Sequence, residues 1–167
     1  MEKPRIAVYH STAPDGALHE FVFHAVGEGK PPELPGHELI STRKPPERFA
    51  SAIKSVLRKG EPSIGVINYS VNESPSKERS ARTYYYYPKS DLVERGPPAP
   101  GLGAYLELIA ANYLKNNGVQ VLSSTESPNP ARTAQLRKAG LYHASKMPVS
   151  APAVKWMKGL GRVLRRR

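Results

Sequence analysis

Apolar and polar residues alternate along the first part of the chain in the pattern of β-strands. A short apolar run covers residues 5–9, and residues 18–26 alternate apolar with polar side chains, as half-buried strands do. The segment between them is rich in turn-forming residues, which predicts a β-hairpin. Two further strands are predicted at 63–71 and 81–93, on either side of a polar turn.

Apolar residues at helical spacing indicate helices elsewhere in the chain. The predicted helices are 47–59, about 102–117, about 130–139 and 152–167. Glycine follows the first three of them, at Gly60, Gly118 and Gly140. Glycine is favoured there because it adopts the left-handed backbone conformation that ends many helices.

Shorter segments complete the secondary structure. Strands are predicted at 119–122 and 141–148, after the second and third helices. Residues 27–46 are rich in proline and lack periodicity, so we expect a long loop there and consider it a candidate substrate lid. The order of elements predicts an α/β (α+β) fold, with a mixed, mostly antiparallel sheet flanked by helices.

Positive charge is concentrated at the C-terminal end of the chain. Residues 1–126 carry 15 Lys and Arg against 14 Asp and Glu, whereas residues 127–167 carry 10 Lys and Arg and no acidic residue. Such asymmetry indicates a polyanionic partner for that end, although a solvated face without a partner is the alternative. We therefore divide the chain into a domain at 1–150 and a basic amphipathic helix at 151–167.

The two sides of this last helix differ in chemistry. Trp156, Met157 and Leu160 fall on one side, and we expect them to pack on the domain. The opposite side, which we call the basic face, is a candidate nucleic-acid-binding surface. The basic face consists of Lys155, Lys158, Arg162, Arg165 and Arg166.

Composition excludes several kinds of site. The chain has no cysteine, which excludes disulfides, thiolate metal ligands and cysteine nucleophiles. No apolar run approaches the ~20 residues of a transmembrane helix, and no secretory signal is evident, so we expect a cytoplasmic protein. His19 and His24 are five residues apart and would point to opposite faces of a strand, which argues against a shared metal site. We expect no metal and interpret both as ordinary strand histidines.

A glycine turn precedes the second helix. Gly101-Leu102-Gly103, here called the glycine turn, would let a phosphate group approach the backbone at the helix N-terminus. The turn is not a dinucleotide-binding fingerprint, because Leu106 stands where the third glycine would be needed. A P-loop is excluded as well, since no Gly-Lys-Ser/Thr follows. A tight strand-to-helix turn without a ligand remains the structural alternative.

The order of elements around the glycine turn resembles that of the Gcn5-related N-acetyltransferase (GNAT) superfamily. Members of that family carry the pattern V-x-P-x-x-[RQ]-x-x-G-x-[GA] at the acyl-CoA site, and Val93, Gly101 and Gly103 keep its spacing. Further along, Asn129 and Arg132 fall at places that correspond to the family's N-x-x-A segment. The resemblance covers residues 63–141 well and the first 60 residues poorly.

This sequence also departs from the family pattern. Arg95 and Pro98 stand where the pattern has proline and a basic or amide residue. Leu136 occupies the position of a tyrosine that often protonates the leaving CoA thiolate, and Leu141 stands where phenylalanine is usual. These departures bear on catalysis more than on the fold.

The resemblance implies an N-acyltransferase that uses acetyl-CoA as acyl donor and transfers the acyl group to an amine. An oxyanion donor is implied at the backbone N–H groups around Leu92 and Val93. Glu73 and Tyr85 are candidates for the base, and His143 is a candidate replacement for the missing acid. The residues implied to bind acyl-CoA are Leu92, Val93, Gly101, Leu102, Gly103, Ala104, Asn129 and Arg132.

Two interpretations without catalysis stay open. The first is a GNAT-fold module that binds RNA or ribosomes through residues 127–167. The second is a terminal helix that lies on a membrane surface. Pro98 and Leu136 favour a non-catalytic protein, whereas Val93, Gly101 and Gly103 favour the enzyme.

Overall fold

The computed structural model describes residues 3–60, 63–88, 101–124, 136–141 and 149–165. The strands are β1 Arg5–Thr12, β2 Leu18–Val26, β3 Glu38–Arg43, β4 Ser63–Glu73, β5 Arg79–Pro88, β6 Val121–Ser124 and β7 Val149–Pro152. The helices with described bounds are α1 Glu47–Lys59, α2 Leu102–Asn116 and α3 Ala153–Arg165. Residues 136–138 are also helical.

The strands form a single open sheet in the order β3-β1-β2-β4-β5-β6-β7. Every pairing is antiparallel except that of β5 with β6, which is parallel. The predicted α+β class with a mostly antiparallel mixed sheet is thereby confirmed. The predicted hairpin is confirmed too, since β1 and β2 pair in register from Arg5–Val26 to Thr12–His19.

The two faces of the sheet are covered differently. Ile6 and Val8 of β1 face the main core, which also contains the buried sides of α1, α2 and α3. Ala7 and Tyr9 point to the opposite face, because successive side chains of a strand alternate. They belong to a smaller apolar cluster against which Leu34 packs, from the segment before β3. The helices with described bounds thus share one face of the sheet.

The terminal helix is part of this core. Trp156 and Leu160 are fully buried and Met157 packs against the same cluster, as predicted. The indole Nε1 of Trp156 donates a hydrogen bond of 2.6 Å to the buried carboxylate of Glu107 on α2. The expected domain boundary between residues 150 and 151 falls inside β7, which pairs with β6. Residues 151–165 therefore fold together with the rest of the described chain.

The structure changes the expectation for residues 27–46. They are not one loop, because Glu38–Arg43 form β3 at the edge of the sheet and pair with β1. This strand is mostly exposed, so it lacks the apolar alternation by which a strand is found in a sequence.

The bounds of the other elements differ less from those predicted. β6 begins and ends two residues later than the predicted strand 119–122, and β7 lies just after the predicted strand 141–148. Pro152 is the last residue of β7 and immediately precedes α3 rather than lying in its first turn. Residues 142–148, and the part of the predicted strand 81–93 beyond Pro88, lie outside the described residues.

Two glycines of α3 offer a matched test of packing. A side chain at Gly159 would collide with the backbone oxygen of Ala139, whereas one at Gly161 would meet only the end of the flexible Arg165 side chain at 3.6 Å. We predict that Gly159→Ala lowers the free energy of unfolding by about 1–3 kcal/mol through overpacking. Gly161→Ala should raise it by up to about 1 kcal/mol because alanine favours a helix. Urea unfolding followed by Trp156 fluorescence measures both, and equal effects would contradict the close approach of α3 to Ala139.

Candidate functional site

The described pairing of β5 with β6 ends before β5 itself does. The last described pair between these strands joins Thr83 to Ser124. Beyond it, residues 85–88 of β5 stay paired with β4, and no described residue pairs with their other edge. We call this point the β5–β6 fork. Unpaired backbone N–H and C=O groups at a strand edge can bind an extended ligand that carries amides.

Helix α2 is oriented with its N-terminus toward this end of the sheet. Its C-terminus lies at the start of β5, because Arg79 donates a hydrogen bond of 2.6 Å to the carbonyl oxygen of Asn117. The backbone N–H of Gln120 also donates to the carbonyl of Arg79, at 2.9 Å. A helix of this length spans about 22 Å, so the glycine turn lies toward the opposite, C-terminal end of β5.

The N-terminus of α2 is free of capping groups from its own segment. Gly101 occupies the N-cap position with a left-handed backbone (φ 89°), and neither a side-chain cap nor an acidic residue is present in the first turn. Unsatisfied backbone N–H groups and the helix dipole make such an end attractive to anions. Leu102 and Ala104 are buried and anchor the turn, while Gly103 is half-buried.

A guanidinium group from another helix lies against the glycine turn. The side chain of Arg48, at the start of α1, occupies the space that a Cβ atom on Gly101 would need. Arg48 also donates a hydrogen bond to the carbonyl of Leu164 near the end of α3. Three helix ends therefore meet at Arg48, and a fixed positive charge is added to the N-terminus of α2.

Hydroxyl groups are buried at the fork. Thr83, Ser123 and Ser124, at the end of the β5–β6 pairing, are each less than a tenth exposed. The hydroxyl of Thr83 donates to the carbonyl of Ser123 at 3.3 Å. These buried hydroxyl groups make the end of the described β5–β6 pairing polar.

The proposed catalytic residues are not brought together in the described structure. Glu73 is exposed and pairs with Arg79, so it lies at the start of β5, beside the C-terminus of α2 and away from the glycine turn. Tyr85 lies in β5 just beyond the fork, where its backbone pairs with that of Asn68. His143 lies outside the described residues, as do Leu92, Val93, Asn129 and Arg132.

Leu136, which stands where the family often has the tyrosine that protonates the CoA thiolate, is among the described residues. Leu136 is 3% exposed and packs in the main core. A tyrosine there would have to enter this core rather than reach an open cleft. A tyrosine at position 136 would therefore not restore the missing acid.

Arg48, Thr83 and Ser124 were not singled out by the sequence analysis. Arg48 is distant in sequence from the glycine turn, and no local pattern links the two. The hydroxyls at the fork carried a weak signal, since Ser123 and Ser124 follow directly on the apolar residues Val121 and Leu122.

The basic face of α3 is exposed as predicted for Lys155, Lys158, Arg162 and Arg165, while Arg166 lies outside the described residues. Arg162 is partly engaged, because it donates a hydrogen bond of 3.1 Å to the carbonyl of Ala139. The remaining cations of the face present their charge to solvent on the side of the helix opposite to Trp156.

Membrane spans and metal clusters are both absent from the described part of the chain. Within it, no helix is long and apolar enough to cross a membrane. No group of three or more histidine, aspartate or glutamate side chains in the described ranges could hold a metal ion.

Comparison with known proteins gives no relative: no family model matches the chain, and no curated protein matches it.

The bridge that Arg48 makes to α3 can be tested by mutation. We predict that Arg48→Met lowers the free energy of unfolding by about 1–3 kcal/mol, because a charged hydrogen bond between two helices is removed. Arg58→Met on the exposed end of the same helix is the control and should change it by less than about 1 kcal/mol. Urea denaturation compares the variants, and equal effects would show that the bridge contributes nothing specific.

Proposed function

We propose that this protein is a GNAT-like N-acyltransferase that transfers an acyl group from acetyl-CoA to an amine. The observation that carries the proposal is the position of a helix N-terminus without a side-chain cap at the end of the sheet where β5 extends beyond its described pairing with β6. A helix end that attracts anions and a strand edge with which no described residue pairs therefore lie at the same end of the sheet. Acetyl-CoA combines a pyrophosphate with an extended arm that contains amide groups.

The pyrophosphate would bind at the glycine turn. Backbone N–H groups of Leu102, Gly103 and Ala104 are among the four at a helix N-terminus that lack partners within the helix. Arg48 supports this assignment because it supplies a positive charge beside Gly101. The basic or amide residue of the family pattern is Pro98 here, so a cation from α1 would take over its electrostatic role.

The arm of the donor would extend toward the fork along the edge of β5 with which no described residue pairs. Its amides would pair with backbone groups of residues 85–88, as an added strand does. The thioester would then lie between Thr83 and Ser124 on one side and the glycine turn on the other. In the family, residues that correspond to Leu92, Val93, Asn129 and Arg132 complete the acyl-CoA site.

The reaction joins the amine nitrogen to the thioester carbonyl carbon, and the carbon–sulfur bond breaks. A base must take a proton from the attacking amine and an acid must protonate the thiolate. Of the two candidate bases, the location of Tyr85 near the fork favours it over Glu73. His143 is retained as the candidate acid on the resemblance alone. Because acetyl-CoA is an intracellular metabolite, the proposal implies a cytoplasmic protein.

We predict that acetyl-CoA binds the wild-type protein and that Gly103→Glu abolishes binding, because a carboxylate would stand against the phosphates. Isothermal titration calorimetry measures the binding, and circular dichroism checks that the variant is folded. Asn112→Glu is the matched control, since it adds the same charge at an exposed position further along α2. Wild-type protein that releases no heat and gains no thermal stability with saturating acetyl-CoA would disprove the donor site.

A second function is favoured by one specific observation, the exposure of the basic face on a helix that is anchored by Trp156 and Leu160. A GNAT-fold protein without catalysis could use this rigid row of cations to bind structured RNA or a ribosomal surface. Phosphate contacts release counterions, so such binding weakens as salt rises. Deleting residues 151–167 would not test it cleanly, because the deletion removes part of the core.

Charge neutralisation is the better test of RNA binding. We predict that Lys155→Gln/Lys158→Gln weakens binding to structured RNA and lowers the slope of log affinity against log salt by about 0.7–0.9 for each phosphate that is no longer neutralised. Arg58→Gln/Lys115→Gln removes the same charge from two exposed positions on other helices and should have a smaller effect. Fluorescence anisotropy over a series of salt concentrations measures both, with anionic liposomes as a competitor. Identical weakening in the two double variants would show that only net charge matters.

A further inference from the structure

Two histidines lie in hydrogen-bond contact beneath the C-terminal half of α2. His10 Nε2 and His19 Nδ1 are 2.9 Å apart, on the neighbouring strands β1 and β2. His10 is buried, and its ring contacts those of Phe21 and of Tyr113 on α2, at centroid distances of 4.9 and 4.7 Å. The pair therefore forms part of the interface between the β1–β2 hairpin and α2.

One proton is shared between the two rings. In a pair of neutral imidazoles, either Nε2 of His10 or Nδ1 of His19 can donate it to the other nitrogen. Burial lowers the pKa of His10 and of His19, which favours the pair in which both rings are neutral.

A first additional proton would leave the hydrogen bond in place, because the other ring can still accept. It would nevertheless create a cation in a buried site packed between aromatic rings, where desolvation is costly. A second proton would place two donors against each other and break the bond. Protonation of the pair therefore disfavours the folded state.

The charged and titratable groups around the pair come from several elements. His37 lies before β3, and Glu38 on β3 is opposite His10 in the register of the sheet. Burial lowers the pKa of His19 and Arg79 on β5 adds to this effect, while Tyr113 on α2 has its own pKa raised by burial and by Glu38. Glu38 alone would attract a proton to His10, but it is exposed and water screens its charge. Glu20 is bonded to His37, at 2.7 Å.

Burial lowers the pKa of His10 from about 6.5 to about 4, and the neighbouring His19 and His37 add to this effect. A histidine whose pKa is lowered on folding binds its proton less readily in the folded protein than in the unfolded chain. Its contribution to the free energy of unfolding is therefore fully present above the unfolded-state pKa and is lost as the pH falls from about 6.5 to about 4. The folded state is thus penalised for each proton that the unfolded chain takes up more readily.

We propose that the His10–His19 pair is an acid-sensitive latch that holds the C-terminal half of α2 on the β1–β2 hairpin. At neutral pH the pair and the ring of Tyr113 keep the helix packed. When acid protonates both imidazoles, the hydrogen bond between them breaks and the packing against Tyr113 loosens. The latch does not depend on the proposed acyltransferase activity, because it rests on the packing of the hairpin and α2.

The test compares His10→Phe with the wild type. Phenylalanine keeps an aromatic ring against Phe21 and Tyr113 but cannot be protonated. Urea unfolding is measured between pH 7.5 and 4.5, where the wild-type equilibrium constant for unfolding should rise by up to about 100-fold more than that of the variant. Tyr113→Phe is the control, because it keeps the aromatic ring against His10 and leaves both imidazoles in place; its pH response should match the wild type.

A second test uses only the wild-type protein, so its result does not depend on whether the variant folds. Imidazole NMR signals should show that His10 titrates near pH 4, and amide exchange at residues 109–116 should increase at pH 5 relative to the α1 amides. The latch is supported if His10→Phe alone flattens the pH response or if α2 opens first in acid. It is overturned if His10 titrates near 6.5 in the folded protein, or if His10→Phe and Tyr113→Phe respond to pH alike.

Discussion

The parallel pairing of β5 with β6 determines where the candidate site lies. Two consecutive strands can run parallel only if the chain between them returns across the sheet, and α2 makes this return. The start of the helix is therefore carried to the end of the sheet at which β5 extends beyond its described pairing with β6. A helix N-terminus without a side-chain cap, a strand edge with which no described residue pairs and the guanidinium of Arg48 lie toward that end because of this one topological constraint.

The buried hydrogen bond between Trp156 and Glu107 couples the terminal helix to the same element. Glu107 is a carboxylate in the main core, so a donor at 2.6 Å offsets part of its desolvation. Through this bond α3 is fixed against α2, and its cations are held on the outer side. The end of α3 in turn accepts a hydrogen bond from Arg48. The basic face and the glycine turn are therefore parts of one arrangement of helices.

The other end of α2 packs through Tyr113 on a pair of neutral histidines. A change in protonation at His10 would therefore act on the helix that also carries the glycine turn.

Local chemistry was sufficient for much of the secondary structure. The helix at 47–59 was predicted with its observed bounds, and Gly60, Gly118 and Gly140 adopt the left-handed conformation expected after a helix. The apolar stripe of α3 was likewise evident, because periodicity and capping involve residues only a few positions apart. These features predict which side of an element is buried, and they led correctly to the core positions of Trp156 and Leu160.

Only the tertiary structure decided which distant residues meet. β3 was missed because an exposed edge strand is held by hydrogen bonds to β1 and not by an apolar pattern. The positions of Arg48 beside Gly101, of His10 beside His19 and of Ala139 against Gly159 follow from pairing register and helix packing. Contacts of this kind join residues far apart in sequence, and no local pattern records them. The sequence by itself therefore determined the elements and their buried sides, whereas the assembled fold decided the candidate site.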